Sequence, residues 1–187
     1  MATNEDFVIG RHPAVAALKS KQAVNKVFLQ AGLKADALKE VASLAKKKGV
    51  IVNQVPKAKL DLLADGQNHQ GVVLAVAAYE YASLDDLFAK AQAKAEDPFF
   101  IILDGIEDPH NLGSIMRTAD AAGVHGIIIP KRRAVQLTST VAKTSTGAIE
   151  YVPVCRVTNL VQTVEELKKR GVWVFGTDMH GTDFRKW

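Results

Sequence analysis

Two side chains within DGIEDPHNLGSIMRTADAAG, Asp104 to Gly123, could do chemistry: the amide of Asn111 and the guanidinium of Arg117. The apolar residues Leu112, Ile115, Met116, Ala119 and Ala122 recur at helical spacing, which predicts a helix over 113–122. Arg117 falls between them on the polar side. Asn111 stands just ahead of that helix and can act as its N-cap. Two accounts are open at this point. One is a capped helix with a surface arginine. The other sets an amide and a permanent cation side by side, able to hold a phosphate or a sugar hydroxyl. Lys131, Arg132 and Arg133 follow the next apolar run and read either as a solvated turn or as a phosphate contact. His12 and His69, each close to a glycine, read either as satisfied structural residues or as ligands.

The elements that would position these groups fall into two units. In residues 1–80, FVIG, KVFLQA, VIVNQV and GVVLAVAAY read as strands. They alternate with helices starting near Pro13, at ADALKEVASLAKKKG and at KAKLDLLAD. Such alternation predicts a three-layer α/β domain. Residues 81–97 read as a helical linker, with Ser83 and Asp86 as a capping-box variant and Asp97-Pro98 as its end. From 98 to 187 the alternation restarts. FFIILDGI lacks polar alternation, as a strand covered on both faces should, and VHGIIIP, YVPVCRV and VWVFGTD follow. Asn159 can cap the helix that Gly171 ends. Four parallel strands joined by right-handed crossovers would make a Rossmann-like sheet. Ligands of such sheets bind beyond the carboxyl ends of the strands, where DGIEDPHNLG, PKRRAVQ and GTDMHGTD lie.

Composition narrows the classes. Hydrophobic residues form 48% and charged residues 24% of the 187, the balance of an ordinary soluble domain. No apolar run approaches the roughly 20 residues of a membrane helix, and MATNEDFVIG is unlike a secretory signal, so no membrane is expected and a cytoplasmic location is. Cys155 is the single cysteine, which leaves neither a disulfide framework nor a cysteine-based zinc site, and no metal is expected. G-x-G-x-x-G and the P-loop pattern are both absent, against nicotinamide and nucleotide-triphosphate chemistry. The formal charge of +4 is concentrated: up to Glu80, 11 Lys and Arg stand against 7 Asp and Glu, and beyond it 13 stand against 13. The first unit would therefore attract a polyanion.

DGIEDPHNLGSIMRTADAAGVHGIIIP, with Asn-Leu-Gly and Arg-Thr-Ala-Asp-Ala-Ala-Gly intact, resembles the first motif of the SpoU branch of the SPOUT RNA methyltransferases. KTSTGAIEYVPVCRVTNL resembles the segment that follows in that branch. IGRHPAVAAL and NHQGVVLAV are similar to the two ends of its substrate-binding domain, which resembles ribosomal proteins that bind kinked RNA. The nearest subgroup methylates a guanosine 2′-hydroxyl of large-subunit ribosomal RNA. The resemblance implies methyl transfer from S-adenosylmethionine to a ribose 2′-oxygen, by a homodimer. It assigns activation of the hydroxyl to Arg117, with Asn111 orienting it, and suggests RNA contact at Arg11, His12, His69, Gln70 and Lys131 to Arg133. Arginine makes a poor base, because its pKa exceeds about 12. Binding the target phosphate and stabilising the developing alkoxide is the role that suits it.

Gly176 and Thr177 would form the first edge of the cofactor site. The family's second motif, a glycine-rich loop with a glutamate, and its third, containing Ser-Leu-Asn, do not occur in these 187 residues. The resemblance thus implies a SPOUT domain truncated before its knot and its main dimer surface. On that basis these residues alone are expected to bind S-adenosylmethionine weakly. The alternative is an RNA-binding protein without catalysis, against which the intact Asn111 and Arg117 argue.

Overall fold

The computed structural model describes residues 7–33, 35–177, 180–183 and 186. Period-two alternation sorts its first sheet. β1 (Phe7–Ile9), β2 (Val24–Gln30), β3 (Ile51–Val55) and β4 (Val72–Val76) pair in the order β1-β4-β2-β3. β2 and β3 are parallel, and β4 is antiparallel to both β1 and β2. Val27, Leu29, Val72 and Leu74 turn to one face, beneath α1 (Arg11–Lys19) and α2 (Ala35–Lys47). Phe28 and Val73 turn to the other, beneath Leu60 and Ala64 of α3 (Lys57–Ala64). Helices on both faces give the three layers that the strand–helix alternation predicts.

The second sheet is parallel throughout, in the order β5 (Phe100–Ile102), β6 (Gly126–Pro130), β7 (Val154–Val157). Ile127 and Ile129 face α5 (Pro109–Ala121) and α6 (Ser139–Thr144), while Ile128 faces α4 (Leu84–Ala93) and α7 (Leu160–Lys169). Both faces of β6 are thus covered, which is why its sequence is a continuous apolar run. At Gly113 a Cβ would come within 2.9 Å of the Thr144 carbonyl carbon, so only glycine lets α5 and α6 pack this closely. Asn159 caps α7 as expected, its side chain accepting from the Gln162 N–H at 3.1 Å.

Three expectations are corrected. The helix read as a linker does carry its capping box, with Ser83 and Asp86 bonded reciprocally. It is nevertheless a layer of the second unit, because Leu87 and Ala91 are fully buried and Leu87 packs over Gly126 and Ile128. The Ala82 N–H also bonds the Val154 carbonyl at 2.9 Å, so the connection is stitched to β7. Second, VWVFGTD supplies no paired strand among the described residues. Residues 172–177 line one groove with β5 without forming a strand, and Trp173 and Phe175 are exposed. Third, α5 starts at Pro109, four residues earlier than expected, because Asp108 rather than Asn111 caps it.

No helix among the described residues is long and apolar enough to cross a membrane. If α4 is a layer of the core, Leu87→Ala should cost about 2–5 kcal/mol in urea unfolding, the usual penalty for emptying a buried leucine site. A cost below about 0.5 kcal/mol, typical of surface changes, would return α4 to the status of a tether.

Candidate functional site

The carboxyl ends of β5 and β6 open onto the loops expected to hold a ligand. Asp108 Oδ1 accepts from the His110 N–H at 2.8 Å, and Pro109 follows at the first helical position, so α5 is fixed at its start. Thr144 Oγ donates to the Pro109 carbonyl at 3.3 Å, joining the end of α6 to that turn. The Val135 N–H bonds the Ile106 carbonyl at 2.7 Å and links two of the three loops. Gln136 stiffens the KRR loop from inside, its Nε2 donating to the carbonyls of Pro130 at 3.3 Å and Ala134 at 3.1 Å. Arg132 and Arg133 project into solvent, and Arg133 adopts φ +53°.

Asn111 and Arg117 are both exposed on α5, and neither side chain has a hydrogen bond or ion pair among the described residues. They are not side by side. Six helical residues separate them by about 9 Å along the axis and about 120° around it. The early start of α5 is the reason, since it draws Asn111 into the first turn of the helix. Asn111 stays with the loop cluster, and Arg117 lies further along the helix.

Gly176 and Thr177 lie at one end of a groove of about 680 Å³ between β5 and residues 172–177. Its walls are apolar, with Ile102, Ile106 and Trp173 among them, and Asp104 is its single charged lining residue. The groove follows the outer edge of β5.

In the first unit, three of the four singled-out residues converge. Gln70 Oε1 accepts from the Arg11 N–H at 3.2 Å, bringing Arg11, His12 and Gln70 together as an exposed group at the start of α1. His69 does not join them. It is 6% exposed, its Nδ1 accepts from the Gly71 N–H at 2.9 Å, and its Nε2 lies 2.9 Å from Asp61 Oδ1. Accepting at Nδ1 leaves the proton on Nε2 for the carboxylate. With both ring nitrogens engaged and the ring buried, His69 braces the turn before β4, apart from the exposed group.

The sequence did not single out the residues that join the units. Asn25 sits where the β2–β4 register shifts, and such an irregularity re-aims a side chain. Its Nδ2 donates to the carbonyls of Val76 at 3.1 Å and Leu137 at 3.2 Å. The Tyr81 hydroxyl donates to Asn25 Oδ1 at 2.6 Å and accepts from the Leu137 N–H at 2.8 Å. Arg156 of β7 lies over the Tyr81 ring at 3.8 Å and reaches the Val24 carbonyl at 3.1 Å, the Asn25 carbonyl at 3.4 Å and Gln136 Oε1 at 3.3 Å. Burial pushes the Tyr81 hydroxyl up to about 12 against the opposing pull of Arg156, and burial lowers the pKa of Arg156 itself. Burial also pushes the Cys155 thiol up to about 11, away from nucleophilic use. No cluster of three or more possible metal ligands occurs among the described residues.

Helical layers on a parallel sheet with a strand-end loop cluster, joined to a second α/β module, define a class of two-part proteins that hold a ligand at or between the units. Comparison places the chain within that class. Residues 98–187 match the model described as the SpoU rRNA Methylase family, and residues 7–82 match RNA 2′-O ribose methyltransferase substrate binding. The chain is 57% identical over 186 residues to YacO of Bacillus subtilis, provisionally named a TrmH family tRNA/rRNA methyltransferase, covering 99% of this chain and 74% of that protein. A similarly named Staphylococcus epidermidis protein is 54% identical over 183 residues, covering 97% and 73%. The chain therefore belongs to the SpoU/TrmH family of RNA methyltransferases. Among solved structures, an AdoMet-bound rRNA methyltransferase from Sinorhizobium meliloti is 23% identical with a TM-score of 0.41, over 87% of this chain and 57% of that one. AviRb, a SpoU methyltransferase of Streptomyces viridochromogenes in complex with AdoMet, is 23% identical with a TM-score of 0.43, over 88% and 58%. The chain thus spans less than two thirds of either solved chain.

The joint predicts a particular alkaline behaviour. A tyrosine ionising near 10 when unfolded and at about 12 when folded contributes stability that is complete below pH 10 and is lost as pH rises through 12. In a phenolate absorbance titration Tyr81 should therefore ionise only as pH approaches about 12. Tyr81→Phe should remove this alkaline loss and cost about 1–3 kcal/mol at neutral pH, because it leaves the Leu137 N–H without its acceptor. Ionisation of Tyr81 near pH 10 would contradict the buried joint.

Proposed function

We propose that the chain acts as a ribose 2′-O-methyltransferase of RNA, with S-adenosylmethionine as methyl donor and ribosomal RNA as substrate, in a homodimer. The observation that carries this reading is the pairing of a matched 2′-O-ribose substrate-binding module with a SpoU unit through a buried polar joint. The groove beside Gly176 and Thr177 fits part of such a donor. Apolar walls suit an adenosine, and the lone Asp104 carboxylate suits a cationic sulfonium or ammonium. When bound there, the donor would supply an electrophilic methyl group.

The chain's own residues then have to bring a ribose hydroxyl into line and take up its developing charge. Arg117 binds the target phosphate and stabilises the alkoxide. A guanidinium suits both tasks, because its donors lie in a planar fork. Asn111, in the first turn of α5, orients the substrate at the loop cluster. The KRR loop and the Arg11, His12 and Gln70 group add phosphate contacts. The second reading, an RNA binder without catalysis, is weaker on one ground. Asn111 and Arg117 have no structural partner among the described residues, so the fold alone does not call for them.

Methyl transfer by the complete enzyme from labelled donor to large-subunit ribosomal RNA, followed by nucleoside mass spectrometry, tests the reading. The expected product is a 2′-O-methylnucleoside. Arg117→Lys should keep RNA affinity within about twofold yet lose at least about 100-fold in transfer, the scale of one lost charge-stabilising donor. A fully active lysine variant would remove both roles from Arg117. Replacing Lys131, Arg132 and Arg133 with glutamine should flatten the salt dependence of RNA binding by up to about one unit of slope per lost contact. An unchanged slope would mark the loop as merely solvated.

A further inference from the structure

Between the units lies a second cavity of about 360 Å³, lined by Lys21, Val24, Lys48, Glu80, Tyr81 and Arg156 among others. Its charges are unbalanced. Lys48 spends its ammonium on three neutral acceptors, the carbonyls of Gln22 at 2.7 Å, Ser20 at 2.8 Å and Ala17 at 3.4 Å. Arg156 likewise bonds backbone carbonyls and the Gln136 amide oxygen, and its buried Nε has no hydrogen-bond partner at all. Neither cation has a carboxylate within ion-pair distance among the described residues, and burial lowers the pKa of both. Lys21 is exposed at the rim and makes no ion pair. Glu80, also exposed, is the only acid in the lining, so three cations face one carboxylate. Partly buried positive charge without an anion is costly, and a bound anion would relieve that cost.

We propose that this interdomain cleft holds a backbone phosphate of the substrate RNA, so that the RNA crosses the joint on its way to the loop cluster. The proposal rests on the RNA methyltransferase reading above. The position favours RNA over a small free anion, because the cleft lies on a continuous basic path. Lys46 and Lys47 end α2 just before Lys48, and Lys131 of the KRR loop donates to the Gly49 carbonyl at 3.4 Å. The positive excess of the first unit, expected to attract a polyanion, thus meets the basic loop of the second at this cleft.

Fluorescence anisotropy of a fluorescein-labelled RNA hairpin over a salt series tests this with the full chain. Lys21→Gln and Arg156→Met should each weaken binding and reduce the salt slope by about one, the signature of a lost phosphate contact. Thermal melting followed by circular dichroism shows whether Arg156→Met still folds. If it does not, the exposed Lys21→Gln variant decides alone. Wild-type binding with an unchanged slope in the folded variants overturns the cleft while leaving the RNA reading intact. Absence of hairpin binding by the wild type overturns both. Competition by inorganic phosphate as effective as that by RNA at matched ionic strength would make this a small-anion site and also overturn the proposal.

Discussion

The structure turns on one half-buried guanidinium between the two units. Arg156 stacks on Tyr81 while its fork spans carbonyls of β2 and the Gln136 side chain. Its contacts reach 131 and 132 residues back along the chain. Each neutral hydrogen bond of this kind is worth only about 0.5–1.5 kcal/mol net, and desolvation of the cation opposes them. Direction matters more than depth here. The Tyr81 and Asn25 bonds have narrow geometric tolerance, so two units that could pivot on a tether are held in one orientation. Gln136 carries that constraint into the KRR loop, and Leu137 carries it back to β4 through Asn25.

That constraint explains why the site can be open and still well ordered. Asn111, Arg117, Arg132 and Arg133 are exposed, as their proposed contact with a large polyanion requires. Their backbones are held from beneath by Asp108, Thr144, Gln136 and the close approach at Gly113. A substrate spanning two modules gains affinity and register from both only when their spacing is fixed. The polar joint supplies that spacing, and the basic cleft lies directly on it.

Much of this was legible in the sequence because it is local. Continuous apolar runs gave the strands of the parallel sheet, Asn159 and Ser83 gave helix starts, and the Asn-Leu-Gly and Arg-Thr-Ala-Asp motif gave the family. Misreadings came where a distant contact overrides a local signal. The alanine-rich stretch of 84–93 has the composition of a spacer, and only the partner surface over Gly126 makes it core. VWVFG has strand character, but it forms no strand among the described residues. Asn111 is a good cap in isolation, yet Asp108-Pro109 offers an earlier one. His69 stood open between a structural residue and a ligand because Asp61, eight residues away, gave no hint of facing it. Arg156 was not singled out in the sequence at all. A single arginine in an apolar run was the one available signal, and its partners come from the other unit.

In the proposed complex one RNA lies across both units, which the polar joint holds in one orientation. Photo-cross-linking of 4-thiouridine-substituted ribosomal RNA to the chain, with the attached peptides identified by mass spectrometry, tests it directly. The account predicts cross-links in the first unit around residues 10–23 and 46–49 and in the second around 131–137, all from the same complex. Cross-links confined to one unit would contradict it.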